Sequence, residues 1–208
     1  MHAHSPTSTV AKALILASTS RYRKELLERL RLPFGCVAPE VDETPLPGEA
    51  PVQVATRLAL AKALEVARRH PEAIVIGSDQ VADLDGHSIG KPGTHVRAVE
   101  QLRAMRGRTV VFQTAVAVVC ISSGFSSQAL AQVQVRFREL SDAEIENYLH
   151  HEQPYDCAGS AKSEGLGIAL LERIDSDDPT ALIGLPLIRT AELLRQAGMN
   201  PLCHPPLP

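Results

Sequence analysis

Aromatic side chains are scarce. Phe, Tyr and Trp together make up 3% of the 208 residues, and tryptophan is absent. The core is therefore mostly aliphatic, and carbohydrate-binding or aromatic-cage modules are disfavoured. There is no excess of positive charge. With 21 Lys+Arg against 24 Asp+Glu the formal net charge is −3, so the electrostatic footprint of a general nucleic-acid binder is missing. No long uncharged apolar run exists to span a membrane. The first ten residues lack a cationic start followed by an apolar stretch, so no secretory signal is expected. Cysteine pairs are also lacking. Cys36, Cys120, Cys157 and Cys203 lie far apart with no C-x-x-C motif, as expected of reduced thiols in a cytosolic protein. Nor do the eight histidines show metal-site spacing. His2, His4, His70 and His204 sit near termini or element ends, and the adjacent His150 and His151 point to different helix faces, so no zinc site is expected.

What is present is a chain with 44% hydrophobic residues, long enough for one domain, or two small lobes, with a real core. Residues 1–12 read as an N-terminal extension, 13–202 as a single two-lobed domain and 203–208 as a proline-rich tail. Ala13–Ala17 is a short apolar run, read as a buried strand. Ser18, Thr19 and Ser20 offer helix caps before a helix over 21–30. Phe34–Val37 is a second strand candidate, followed by a proline-rich loop over 38–51 and a helix over 52–69. Ala73–Gly77 reads as a buried strand ending in Ser78-Asp79-Gln80. Asp85-Gly86 signals a hairpin between 81–84 and 87–89. A helix over 96–105 closes at Gly107, and 110–121 is a long strand. Strict alternation over 133–138 marks a strand with one wet face. Ser141-Asp-Ala-Glu144 is a capping box, and Pro186 and Gly198 bracket a last helix. This alternation argues an α/β protein with a partly antiparallel sheet.

The chemistry concentrates at three places. Arg21, Arg23 and Lys24 fall in the first turn of a helix, where cations cost about 0.3–1 kcal/mol each against the helix dipole. An anion docked on the free N–H groups and the hydroxyls of Ser18 and Ser20 offsets that cost, and phosphate is the natural candidate. Asp79 follows an apolar strand. A carboxylate buried there needs a partner, and a divalent cation shared with Glu43 would supply one; Mg²⁺ usually takes one or two carboxylates plus substrate phosphates. Lys62 and Lys91 are the basic residues nearest in pattern, although Lys62 on an apolar stripe also reads as a snorkelling side chain, and Lys91 as a turn lysine. The glycine-rich stretch 157–165 reads as a polar loop, and Cys157 within it as a small buried residue. Together these features suggest phosphate chemistry with a metal.

Six ordered motifs resemble the Maf family of nucleotide pyrophosphatases. They are Leu16-Ala-Ser-Thr-Ser-Arg-Tyr-Arg23, Pro39-Glu-Val-Asp-Glu43, Ile76-Gly-Ser-Asp-Gln80, Gly90-Lys-Pro92, Gly159-Ser-Ala-Lys-Ser-Glu-Gly165 and Ile183-Gly-Leu-Pro186. The resemblance spans about residues 13–200. It implies an elongated mixed sheet flanked by helices around a central cleft, related to the inosine-triphosphate pyrophosphatases. It also implies a cytoplasmic, often dimeric enzyme that cuts between the α- and β-phosphates of a nucleoside triphosphate with a divalent cation, Mg²⁺ or Mn²⁺. Carried over residue by residue, Asp79 matches the proton acceptor, Ser18 and Arg23 the phosphate-binding pair, Glu43 the acidic metal position, and Lys62, Lys91 and Lys162 the family lysines. Many members have Pro where this chain has Arg21, a change the first helical position tolerates.

The family divides by substrate at three positions. Members acting on dTTP or UTP carry Arg, Thr and Gln there; members acting on 7-methyl-GTP carry an aromatic, Gln and Glu. Tyr22, Gln80 and Glu164 match the second group, with Tyr in place of the usual Trp. A tyrosine face stacks on the cationic methylated base for roughly 0.5–2 kcal/mol. Glu164 offsets its charge or accepts from the guanine N–H edge, and Gln80 donates and accepts in the same pocket. The alternatives are a dTTP/UTP pyrophosphatase and a non-catalytic nucleotide-binding regulator of cell division. A nucleic-acid or membrane partner is not expected.

Overall fold

The computed structural model describes residues 12–203. The extension expected over 1–12 and the tail over 203–208 lie, apart from Lys12 and Cys203, outside the described residues. No helix among these residues is long and apolar enough to cross a membrane.

The architecture is a seven-stranded mixed sheet with helices packed on it. Strand β1 (Leu14–Leu16) is apolar and buried throughout, as parallel strands covered on both faces require. It leads into α1 (Arg21–Glu28), then β2 (Gly35–Cys36) and α2 (Pro51–Arg69). Next come β3 (Ile74–Leu84), β4 (His87–Ile89) and α3 (His95–Met105). The long β5 (Thr109–Cys120) and β6 (Phe125–Phe137) follow, then α4 (Asp142–Glu152), β7 (Leu171–Ser176) and α5 (Leu187–Gln196). The sheet order is β2-β1-β3-β5-β6-β7, with β4 on the far end of β3. Both neighbours of β1 are parallel to it; the remaining pairs are antiparallel.

Two features of this topology place the site. The chain leaves β1, pairs β2 on one side of it and returns as β3 on the other, which makes the carboxyl end of β1 a switch point, where open α/β sheets bind ligands. In addition, β3 changes neighbours along one edge. β1 pairs it over Ile74–Ile76 and β4 over Ala82–Leu84, while β5 pairs the other edge from Val75 to Asp83. The stretch Gly77–Val81 therefore faces a gap between β1 and β4. Asp79 lies in mid-strand, not at the strand end that the polar run Ser78-Asp79-Gln80 suggests: β5 carries the pairing through, and the polarity marks the open edge.

Three apolar clusters hold the sheet. Alternation along β3 and β5 sends Val75, Ala117 and Val119 to one face under α2, and Ile74, Ile76, Val116 and Val118 to the other under α1 and α5. The distal ends of β3, β5 and β6 pack with α3 and α4. α2 seats on β3 where β3 has Gly77; a Cβ there would lie 2.6 Å from the Ala63 nitrogen.

Candidate active site

The cleft opens between the β1–α1 turn, the gap edge of β3 and the β4–α3 connection, with a volume of about 750 Å³. At its floor lies an ion-pair triad. Lys62, on the α2 face pressed against β3, is 4% exposed, and its Nζ donates to Asp79 Oδ1 at 2.7 Å. The same Nζ lies 2.7 Å from Glu43 Oε1 on the proline-rich loop. Among the described residues the buried partner of Asp79 is thus Lys62, and Lys62 is an ion-paired buried residue, not a snorkelling one. Burial opposes ionisation of Glu43, but the Lys62 ammonium, then Lys91 and Arg23, outweigh it and hold the carboxyl below the usual range.

The α1 corner is built as the sequence indicates. Ser20 caps the helix, its Oγ accepting from the Arg23 N–H at 3.4 Å, and the buried Ser18 Oγ accepts from the Ser20 N–H at 3.1 Å. Arg23 Nε donates to the Gly184 carbonyl at 2.9 Å, which fixes the guanidinium over the cleft. Burial lowers its pKa while Asp79 and Glu43 pull it back up. The corner and the triad therefore share one electrostatic environment. Lys91 and Glu164 are exposed and line the same cleft.

Three details depart from the sequence reading, while Cys157 keeps to it. Lys162 does not line the cleft; its ammonium pairs with Glu152, which also accepts from the Leu166 N–H. The Gln80 amide is committed to structure, Nε2 donating to the carbonyls of Ala181 at 2.8 Å and Leu182 at 3.0 Å and to Thr114 Oγ1 at 2.9 Å. Only its carbonyl oxygen is left for a ligand. Arg21 lies over the Tyr22 ring, 4.7 Å from its centroid, and donates to the Tyr22 hydroxyl at 2.7 Å, so one ring face is already covered by a cation. Cys157 lines the cleft beside Tyr22; burial, then the charge of Asp156, pushes its thiol up to about 12, so it stays neutral.

Two supporting residues, Ser78 inside a family motif and Asp178 outside any, were not singled out from the sequence. The Ser78 hydroxyl lies 2.8 Å from the Ala115 carbonyl and 3.0 Å from that of Gly184. The fully buried Asp178 accepts from the N–H groups of Ile188 and Arg189, and so caps α5 from outside the helix. Together with Gln80 they fix the 178–188 segment that holds Arg23. Residue types as ordinary as Ser and Asp acquire these roles only through contacts that the fold creates, 37 and 106 residues away for Ser78.

The donor set suits a hard divalent cation. Glu43 and Asp79 each engage Lys62 through one oxygen, and among the described residues the other oxygen has no hydrogen-bond partner. Two carboxylates with open positions for phosphate oxygens are what Mg²⁺ or Mn²⁺ takes.

In class, this is a mixed α/β sheet whose switch-point cleft combines a serine-capped, basic helix start with a carboxylate pair. The chain belongs to the Maf-like protein family, whose model matches residues 13–197. It is 70% identical to the 7-methyl-GTP pyrophosphatase of Polaromonas sp. (strain JS666), over 93% of this chain and 87% of that protein. It is 63% identical to the protein of the same name from Albidiferax ferrireducens, over 93% and 97% of the two chains. For the 7-methyl-GTP pyrophosphatase of Cupriavidus pinatubonensis the identity is 58%, over 92% and 96%.

Proposed function

We propose that this protein hydrolyses 7-methyl-GTP to 7-methyl-GMP and pyrophosphate. The observation that carries the reading is the single cleft onto which the Ser18–Ser20–Arg23 corner, Asp79 and the Tyr22/Glu164 pair all open. The names of its relatives support the same substrate. The triphosphate docks on the α1 start, where the free N–H groups and the Ser18 and Ser20 hydroxyls meet its oxygens. The methylated base lies against the open face of Tyr22, with Glu164 offsetting its charge. Glu43 and Asp79 would hold a divalent cation, which when bound neutralises and orients the phosphates. A water attacks the α-phosphorus, its oxygen forming the new P–O bond as the bond to the bridging oxygen breaks and pyrophosphate leaves. Asp79, one oxygen fixed by Lys62, accepts the water's proton. Arg23 and Lys91 stabilise the charge developing on the phosphate oxygens. The same reading places the enzyme in the cytoplasm, acting on free nucleotides.

Pyrophosphate release across 7-methyl-GTP, GTP, dTTP and UTP, with Mg²⁺ or Mn²⁺, tests the proposal. 7-Methyl-GTP is expected to be preferred; equal turnover of dTTP would defeat the substrate assignment, and tight binding of nucleotide without pyrophosphate release would make the protein a sensor. Asp79→Asn is expected to abolish hydrolysis with the fold intact, and Arg23→Ala or Lys91→Ala to reduce it on the order of a hundredfold or more.

A further inference from the structure

A second cluster of ligating groups lies outside the residues that line the cleft. His95 opens α3, and Glu146 and His150 stand one turn apart on α4. Their ligating atoms all lie within 4.8 Å of one another. Glu146 Oε2 is 2.8 Å from His95 Nε2 and 3.9 Å from His150 Nε2, and the two imidazoles stack with centroids 5.2 Å apart. Sequence spacing gives no hint of this, because His95 and Glu146 are 51 residues apart.

We infer that His95, Glu146 and His150 form a site for a borderline divalent transition cation such as Zn²⁺, distinct from the oxygen-donor pair in the cleft. Two imidazoles and a carboxylate are a donor set for zinc, whereas Mg²⁺ takes oxygen ligands. Tetrahedral zinc with bonds of about 2.0–2.1 Å separates its ligand atoms by roughly 3.3 Å, and the observed spacings bracket that value. His150, with 73% of its side chain exposed, has the freedom to close the longer one. The N···O contact of 2.8 Å requires a proton between His95 Nε2 and Glu146, and a metal ion takes that proton's place. The orienting group is also present: Tyr155 Oη lies 3.0 Å from His95 Nδ1, so with Nε2 on the metal the Nδ1–H donates to the phenol oxygen, the arrangement that fixes a ligating imidazole. The neighbouring His151 takes no part, its Nδ1 lying 2.7 Å from the Asn147 carbonyl.

Such an ion would tie α3 to α4 and, through Tyr155, brace the cleft wall. The Tyr155 carbonyl accepts from the Gly93 N–H at 3.0 Å, and the Gly90 carbonyl from the Gly159 N–H at 3.3 Å. These bonds join the segment bearing Lys91 to the one bearing Asp156 and Cys157.

The test is calorimetric titration of the full chain with Zn²⁺ in excess Mg²⁺, with a thermal-shift measurement alongside. Wild type is expected to bind Zn²⁺ and to melt higher with it. The His95→Ala/His150→Ala variant is expected to lose at least about tenfold in affinity together with the shift, and Tyr155→Phe about tenfold. His151→Ala is expected to match wild type. Glu146→Gln, which preserves shape, keeps the measurement decisive should the double variant fold poorly; it too should weaken binding. Unchanged affinity in the folded double variant or in Glu146→Gln, or the absence of zinc binding by wild type, overturns the assignment.

Discussion

At the scale of single residues, charge is arranged more tightly than composition suggests. Arg21 holds one face of Tyr22, and a positively charged base must either take the other face or displace it. Removing that cation should favour the methylated base. Arg21→Pro is expected to raise the kcat/KM ratio of 7-methyl-GTP over GTP by about two- to fivefold, the equivalent of an exposed cation–π contact of about 0.5–1 kcal/mol; an unchanged ratio would place the base away from Tyr22. Glu49 offers a pH experiment. Arg57 grips it through Nε and Nη2 and also donates to the Thr44 carbonyl at 3.2 Å, so this pair anchors the loop bearing Glu43. The Arg57 hydrogen bond lowers the Glu49 pKa from 4.5 to about 2. A carboxyl depressed on folding stabilises the fold above its unfolded pKa and loses that contribution as pH falls through the folded one. Glu49→Gln should therefore lower Tm at pH 7, with the gap to wild type closing between pH 4.5 and 2.

At the scale of elements, the contact between α2 and β3 decides the geometry of the triad. Gly77 leaves no room for a Cβ against Ala63, and Lys62 reaches Asp79 because the helix comes this close. Gly77→Ala is expected to cost about 3 kcal/mol by overpacking, a fall in Tm of roughly 6–12 °C for a chain of this size, and to depress hydrolysis by moving Lys62. A neutral substitution would mean that α2 slides freely. The helices and the buried strands were legible in the sequence because their apolar spacing is strong. The amino-terminal half of β6, Ser-rich and of low strand propensity, was not; it forms because β5 offers a paired edge along its full length. β7 escaped notice for a related reason: LERIDS is charged and exposed, as an edge strand that resists further pairing tends to be.

At the scale of the whole molecule, the cleft gathers side chains from segments spread between residues 17 and 184, so occupancy should stabilise the entire fold. With Asp79→Asn blocking turnover, 7-methyl-GTP at a hundred times its Kd should add about 2.7 kcal/mol, or roughly 5–10 °C in Tm. A shift confined to a minor transition would show that the segments around the cleft unfold independently of the rest. Motif order named a set of positions, and ten of them open onto the cleft, among them Ser18, Arg23, Asp79 and Lys91. What escaped was how they are wired. Nothing in the sequence announces that Lys62 bridges two carboxylates, that Gln80 spends its amide on the 181–182 carbonyls, or that Lys162 turns away to Glu152, because each depends on partners set by the tertiary packing.

The interruption between β1 and β4 has a consequence for how such a protein tolerates change. Strand alternation turns the main-chain groups of Ser78 and Gln80 toward that opening, and peptide N–H and C=O groups are the same whatever side chain they carry. A guest molecule that hydrogen-bonds there is gripped by atoms mutation cannot delete, which frees the surrounding side chains to drift from one nucleobase preference to another while the grip on the common part of the guest persists.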